Sequence, residues 1–264
     1  MDQILSKIAN LGYEIWGIFV PGTVLLLFLT FTWWCSGPLI EVMTVGSLSI
    51  AEVKTVSGFF ALLNREVKFG FIAALAVAAY FAGNLLHWVS RTPKADKDRL
   101  PNVGEGSETG GDWKLRVLNC LRLSIPKSES YAPYLEAQLN EGKVFLQMPE
   151  NARWEQFFPV AKAFLAAKLQ TSLVSTYQNK YTLHRSLTAA AVVWFWSGVI
   201  VELTALVVSY VTCGAGVGPR WFPLLFSQVT ALVLIYGFSA SYQYNWKLFG
   251  NTIITEIYMF KRMG

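Results

Sequence analysis

Leu187–Val211 reads LTAAAVVWFWSGVIVELTALVVSYV, twenty-five residues with one charge, Glu202. As a helix at 1.5 Å per residue the run is about 37 Å long, enough to cross a hydrocarbon core of about 30 Å. Three more windows, Ile15–Trp34, Gly70–Trp88 and Trp221–Tyr242, contain no Asp, Glu, Lys or Arg and are long enough to do the same. The fold class expected is an all-α membrane protein with four transmembrane helices. The remainder agrees: 53% of the 264 residues are hydrophobic and 15% charged, against roughly 25% charged in an ordinary soluble domain. That composition excludes a soluble enzyme.

Basic residues near span ends are retained on the cytoplasmic side. The N-terminus, the segment Val89–Arg185 and the C-terminal tail together hold 18 Lys and Arg, whereas the opposite side holds four, Lys54, Arg65, Lys68 and Arg220. Both termini and the long central segment are therefore expected in the cytoplasm of a bacterial cell, with the spans in the inner membrane. Trp33, Trp34 and Trp221 would mark the outer interface and Trp16, Trp88 and Trp246 the inner one, because these rings favour the headgroup level. Bulky Trp33-Trp34-Cys35 stands where a cleaved signal needs small residues, so the first span is expected to stay.

Three regions follow: 1–88, with an interfacial helix, spans one and two and an outer hairpin; 89–185, a mainly helical cytoplasmic regulatory domain and stalk; and 186–264, with spans three and four and a cytoplasmic tail. Ile4, Ile8, Leu11 and Ile15 recur at helical spacing, as in an amphipathic helix on the inner leaflet. Pro21-Gly22 interrupts span one, as either a hinge or a passive kink. Ile40–Val45 and Leu48–Val56 are β-branched runs around Gly46-Ser47 and are read as a small hairpin. Span two is rich in small residues, from Ala73 to Gly83, which predicts protein packed against most of its surface.

In the central segment, Gly104–Gly111 lacks the Gly-Lys-Ser/Thr ending of a phosphate loop. Trp113–Leu123 fits helix or strand. Tyr131–Asn140 reads as a helix capped by Ser130, and Lys143–Met148 as a short strand. No proline or glycine occurs from Val160 to Ser197. One helix from Val160 to Val211 would be about 78 Å long, so span three is expected to project as a stalk.

Catalysis fails on inventory. Two histidines and three cysteines show no metal-ligand spacing, nucleophile motif or cofactor fingerprint, so no enzyme activity, metal or cofactor is expected. His87 and His184 lie at inner span ends and either meet as a pH sensor or sit there by chance. Cys35 and Cys213 lie beyond the outer ends of spans one and three and are candidates for a disulfide.

A carboxylate inside a span is costly unless paired, neutralised or facing water. Glu202 counts about 14 Å inward from Val211, and Gln228 about 10 Å inward from Trp221. They would either hydrogen-bond to each other or, in a homo-oligomer, Glu202 would ring an axis and favour cations; a transporter role is a third reading. Asn84 is a further intramembrane polar candidate. The segment's net charge of +4 and its basic residues Arg116, Arg122, Lys127, Arg153, Lys162 and Lys168 would suit an anionic messenger or anionic lipid, or simply solvated surface.

The amphipathic start leading to Tyr13 and Pro21-Gly22, Tyr181-x-x-x-Arg185 at the entry to span three, and Thr255-Glu256-Ile257-Tyr258 with Phe260 in the tail resemble the small four-span effectors of bacterial anti-phage defence loci. The Hailong-type channel subunits, held closed by an oligodeoxyadenylate from a nucleotidyltransferase partner, are one candidate by overall plan. The resemblance implies a membrane-permeabilising effector under a cytosolic partner enzyme or nucleotide messenger. The expectation is a gated channel in the lipid bilayer, homo-oligomeric, with a tetramer the favoured count. The alternative is a non-conducting sensor or scaffold that recruits a cytosolic defence enzyme.

Overall fold

The computed structural model describes residues 11, 14–44, 68–91, 113–121, 130–168, 173–211 and 221–263. All regular structure among them is helical. A wide π turn, Ile15–Phe19, runs straight into α1 (Val20–Thr44); α2 is Lys68–Arg91, and α3 is Trp113–Leu121. A tight turn, Pro133–Leu135, leads into α4 (Glu136–Phe145), followed by α5 (Trp154–Lys168), α6 (Leu173–Val211) and α7 (Trp221–Met263). Four helices, containing Ile15–Trp33, Ile72–Ser90, Leu173–Val207 and Trp221–Met263, are long and apolar enough to cross a membrane.

Contacts fix how these four run. Phe28 stacks on Trp194 with ring centroids 4.0 Å apart, and Thr32 lies 3.4 Å from Ser197, so α1 and α6 run in parallel. Gln228 reaches Phe195, Phe238 lies beside His184, and Tyr242 beside Tyr181, so α7 runs antiparallel to α6 over its whole length. Span two descends against span one: a Cβ on Gly22 would strike the Ala79 carbonyl oxygen, and one on Gly83 the Ile18 carbonyl oxygen. The start of span one and the end of α7 thus lie on one side of the bundle, called here the near side.

The chain does not break at Pro21. A proline ring strikes the carbonyl four residues back, here that of Gly17. The π turn, in which the Val20 N–H donates to the Ile15 carbonyl, widens the ladder just before the ring arrives. Gly22 is a point of close helix approach, with Ala79 and Gly83 one turn apart on α2 forming the matching surface.

Several expectations are corrected. Residues 40–44 belong to α1, so the first strand of the outer hairpin is helix; extending a nucleated helix outweighs the β preference of Ile40 and Val42. Residues 45–67, with the rest of that hairpin, lie outside the described residues. The strand expected at Lys143–Met148 is the end of α4 followed by a turn, with Gln147 at φ 55°. Ser130 caps no helix. Its carbonyl instead sits over Gly250, and the next-but-one amide, Ala132 N–H, donates to Asn251 Oδ1 at 2.8 Å. Within one chain span two is not enclosed: among its described side chains only Ala79, Gly83, Leu86 and His87 are buried, and Ile72, Val77, Phe81 and Leu85 point outward.

The stalk is also not one helix. Phe158 of α5 lies near Phe249 and Phe164 near Phe260, so α5 runs with α7 away from the spans. The Leu173 N–H donates to Glu256 Oε1 at 3.0 Å, so α6 starts far out along α7 and returns. No residue in the sequence forces this reversal. Burial does: the face of α7 that projects beyond the spans, Phe249, Ile253, Ile254 and Ile257, is covered by Leu135, Leu139, Phe157, Ala161, Leu165 and Val174 from the helices folded around it. Each Leu, Ile, Val or Phe among them contributes about 1.5–3 kcal/mol when taken from water.

Candidate functional site

The antiparallel register of α6 and α7 decides where the polar candidates sit. Gln228 Nε2 donates to the Phe195 carbonyl at 3.1 Å, in the space left by Gly198. Seven residues farther along both helices, about 10 Å at the helical rise, Trp221 stands level with Glu202. Trp33 is one residue beyond Thr32, which meets Ser197, so it lies within about a turn of the same level. Glu202 is therefore level with the start of α7, at the far rim of the α6–α7 pairing, and about 14 Å short of the end of α6 at Val211.

Glu202 is half-buried, and its Oε1 is shielded with no hydrogen-bond partner among the described residues. It does not pair with Gln228, whose donor is used on Phe195. Asn84 Nδ2 turns back to the Tyr80 carbonyl of its own helix at 2.9 Å and lies toward the near side. The three polar candidates thus occupy three levels, with Glu202 alone at the rim.

At the near side, Arg185 Nη2 lies 3.3 Å from His87 Nδ1. A guanidinium only donates, so this imidazole nitrogen accepts. The histidines do not meet; His184 instead faces Phe238. Cys35 and Cys120 are buried thiols. Cys213 lies outside the described residues, and with it the pairing proposed for Cys35.

The basic candidates among the described residues do not form one cluster. Arg116 falls in α3, against the spans, while Arg122 and Lys127 lie outside the described residues. Arg153 immediately precedes α5, where its N–H donates to Gln156 Oε1 at 3.0 Å as half of a capping box, and its side chain is exposed. Lys162 and Lys168 are on α5, and burial holds the Lys162 amine below its ordinary value. Beside them an open apolar groove is lined by Phe145, Leu146, Pro159, Val160 and Phe164. A link across the projecting helices is polar: Lys261 Nζ donates to Glu141 Oε2 at 2.8 Å and lowers that carboxyl's pKa.

Sequence reading left α3 open between helix and strand and did not foresee where it packs. Val117 and Cys120 pack on Ala191, Val192 and Ile235, and the Trp196 indole N–H donates to the Leu121 carbonyl at 3.0 Å. The helical spacing of Val117, Cys120 and Leu121 is visible in the sequence, but the neighbouring Lys114, Arg116 and Arg122 direct the eye to water.

These features define a multi-pass helical membrane protein with a helical extension on its near side. No protein-family model, curated protein or solved structure matches the chain.

Proposed function

We propose that the chain is a ligand- or partner-gated ion channel of the bacterial inner membrane, built from several copies and used as a pore-forming effector in anti-phage defence. One observation carries the reading. The α6–α7 hairpin is continuous from the near-side cluster around Phe249 and Ile253 to the rim at Glu202. A shift in the cluster therefore moves the rim without an intervening joint. A ligand or partner that favours one arrangement of the cluster displaces the closed and open populations by its differential affinity.

With the near side cytoplasmic, Glu202 stands at the outer mouth. A carboxylate with a shielded, unpartnered oxygen is best accommodated where copies meet around water, and a ring of such groups draws cations to the mouth. The defence setting rests on the resemblance of the span edges alone.

Planar-bilayer recording of the purified oligomer tests the proposal. Unitary conductance is expected, with Glu202→Gln reducing the preference for cations as read from reversal potentials. Silent bilayers with protein of normal oligomer size, under every ligand condition, would leave a non-conducting scaffold instead.

A further inference from the structure

The depth of α3 is set by its partners. Arg185 is the last charged residue of α6 before Glu202, and it stands at the near edge of the spans. Ala191 is six residues beyond it and Trp196 eleven, about 9 and 16 Å along the helix. On α7, Ile235 is seven residues inward of Tyr242, about 10 Å by the same rise. Val117 and Cys120 lie against the shallower of these residues, whereas the Leu121 carbonyl lies against Trp196. With a core about 30 Å thick, the C-terminal end of α3 reaches the middle of the bilayer.

Two features make this placement stable. The last carbonyls of a helix have no partner within it, and hydrocarbon offers no water to replace one. Trp196 supplies a donor at the needed depth. The groove itself depends on consecutive small residues: Ala189 and Ala190 face the cluster with Leu25 and Leu86, while Ala191 faces α3, so neighbours approach α6 closely on both sides.

We propose that α3 is a re-entrant helix seated from the cytoplasmic side in the α6–α7 groove, and that its release from Trp196 is the step by which segment 89–185 acts on the spans. The seat stands on the contacts alone; the consequence of release rests on the channel reading. Release separates Val117 and Cys120 from Ala191, Val192 and Ile235 and exposes the Leu121 carbonyl, so a ligand that draws the segment outward opposes the Trp196–Leu121 hydrogen bond and this apolar patch.

Cys120 is the reporter. Full-length protein in inverted membrane vesicles is treated with a charged, membrane-impermeant maleimide, and labelling is followed site by site by peptide mass spectrometry. Tyr134→Cys, at a position 77% exposed in the extension, gives the solvent rate. Cys120 is expected to react at least tenfold more slowly than that control, while uncharged N-ethylmaleimide narrows the gap. Trp196→Phe removes the donor and keeps a ring; it is expected to speed Cys120 labelling about three- to tenfold, the range for one hydrogen bond. Trp194→Phe removes an indole N–H that has no partner among the described residues and is expected to leave Cys120 labelling unchanged. Cys120 reacting at the Tyr134→Cys rate in otherwise wild-type protein, or the two tryptophan variants behaving alike, overturns the seat. Bilayer currents separate the two ideas: protection that depends on Trp196, without conductance in any variant, keeps the seat and removes the channel. Conductance with unprotected Cys120 does the reverse.

Discussion

The two ends of the α6–α7 hairpin are held by different means. Beyond the spans, α7 is wrapped by large side chains: Tyr181, Trp246 and Phe249 meet edge to face or stacked, and Phe157, Ile253 and Ile257 have almost no exposed surface. Within the spans the Phe28–Trp194 stack stands beside contacts that are small or polar, Ala189–Ala191, Gly198 with Gln228, Gly22 with Ala79, while Ile200, Leu203, Val229 and Val233 point outward. The difference follows the solvent. Water drives large apolar groups inward, whereas lipid is as apolar as leucine and leaves close approach and hydrogen bonds to hold helices together.

The contrast is broken most severely at Phe157. Phe157→Ala empties a closed aromatic core and is expected to cost about 3–5 kcal/mol, seen as loss of the cooperative thermal transition of the extension while helix content in the spans persists. Gly22→Ala acts by collision, because α2 presents a backbone oxygen there and backbone cannot step aside as a flexible side chain would. About 1–3 kcal/mol is expected, measured by detergent-titration unfolding, with no gain from the added methyl. Gln228→Leu removes one interhelical hydrogen bond inside the spans and is expected to cost only about 0.6–1.7 kcal/mol, by unfolding in bicelles. A loss as large as that of Phe157→Ala would mean that the spans, too, depend on a single core.

Smallest is the exposed Glu141–Lys261 pair. The Glu141 pKa lies below its ordinary 4.5 because Lys261 donates to it and two cations stand near. Its contribution is therefore complete above pH 4.5 and lost as pH falls through the lower folded-state value. Glu141→Gln is expected to leave the midpoint unchanged in high salt and nearly so in low salt, by differential scanning fluorimetry at pH 7 and pH 3.

The same division explains what could be read from sequence. Four apolar windows announce four helices because length and absence of charge are sufficient, and Gln228 and Gly22 already stood out as residues with something to do inside a span. Register is a different matter. Glu202 sits level with Trp221 because Gln228 fits over Gly198, and no count along one helix contains that pairing. The reversal between α5 and α6 carries no proline or glycine signal, since it is imposed by the aromatic face of α7. The seat of α3 was hidden for a related reason: Lys114 and Arg116 make the stretch polar on average, while Val117 and Cys120 decide where it packs.

The central claim, that several copies share Glu202 around one axis, has a direct measurement. Glu202→Cys is introduced with Cys35→Ser and Cys213→Ser, and membranes are oxidised before non-reducing electrophoresis. Neighbouring copies are expected to appear as a covalent dimer that vanishes on reduction and is absent without Glu202→Cys. A monomer band alone, from protein whose Glu202→Cys thiol still reacts with a small maleimide, would contradict the claim.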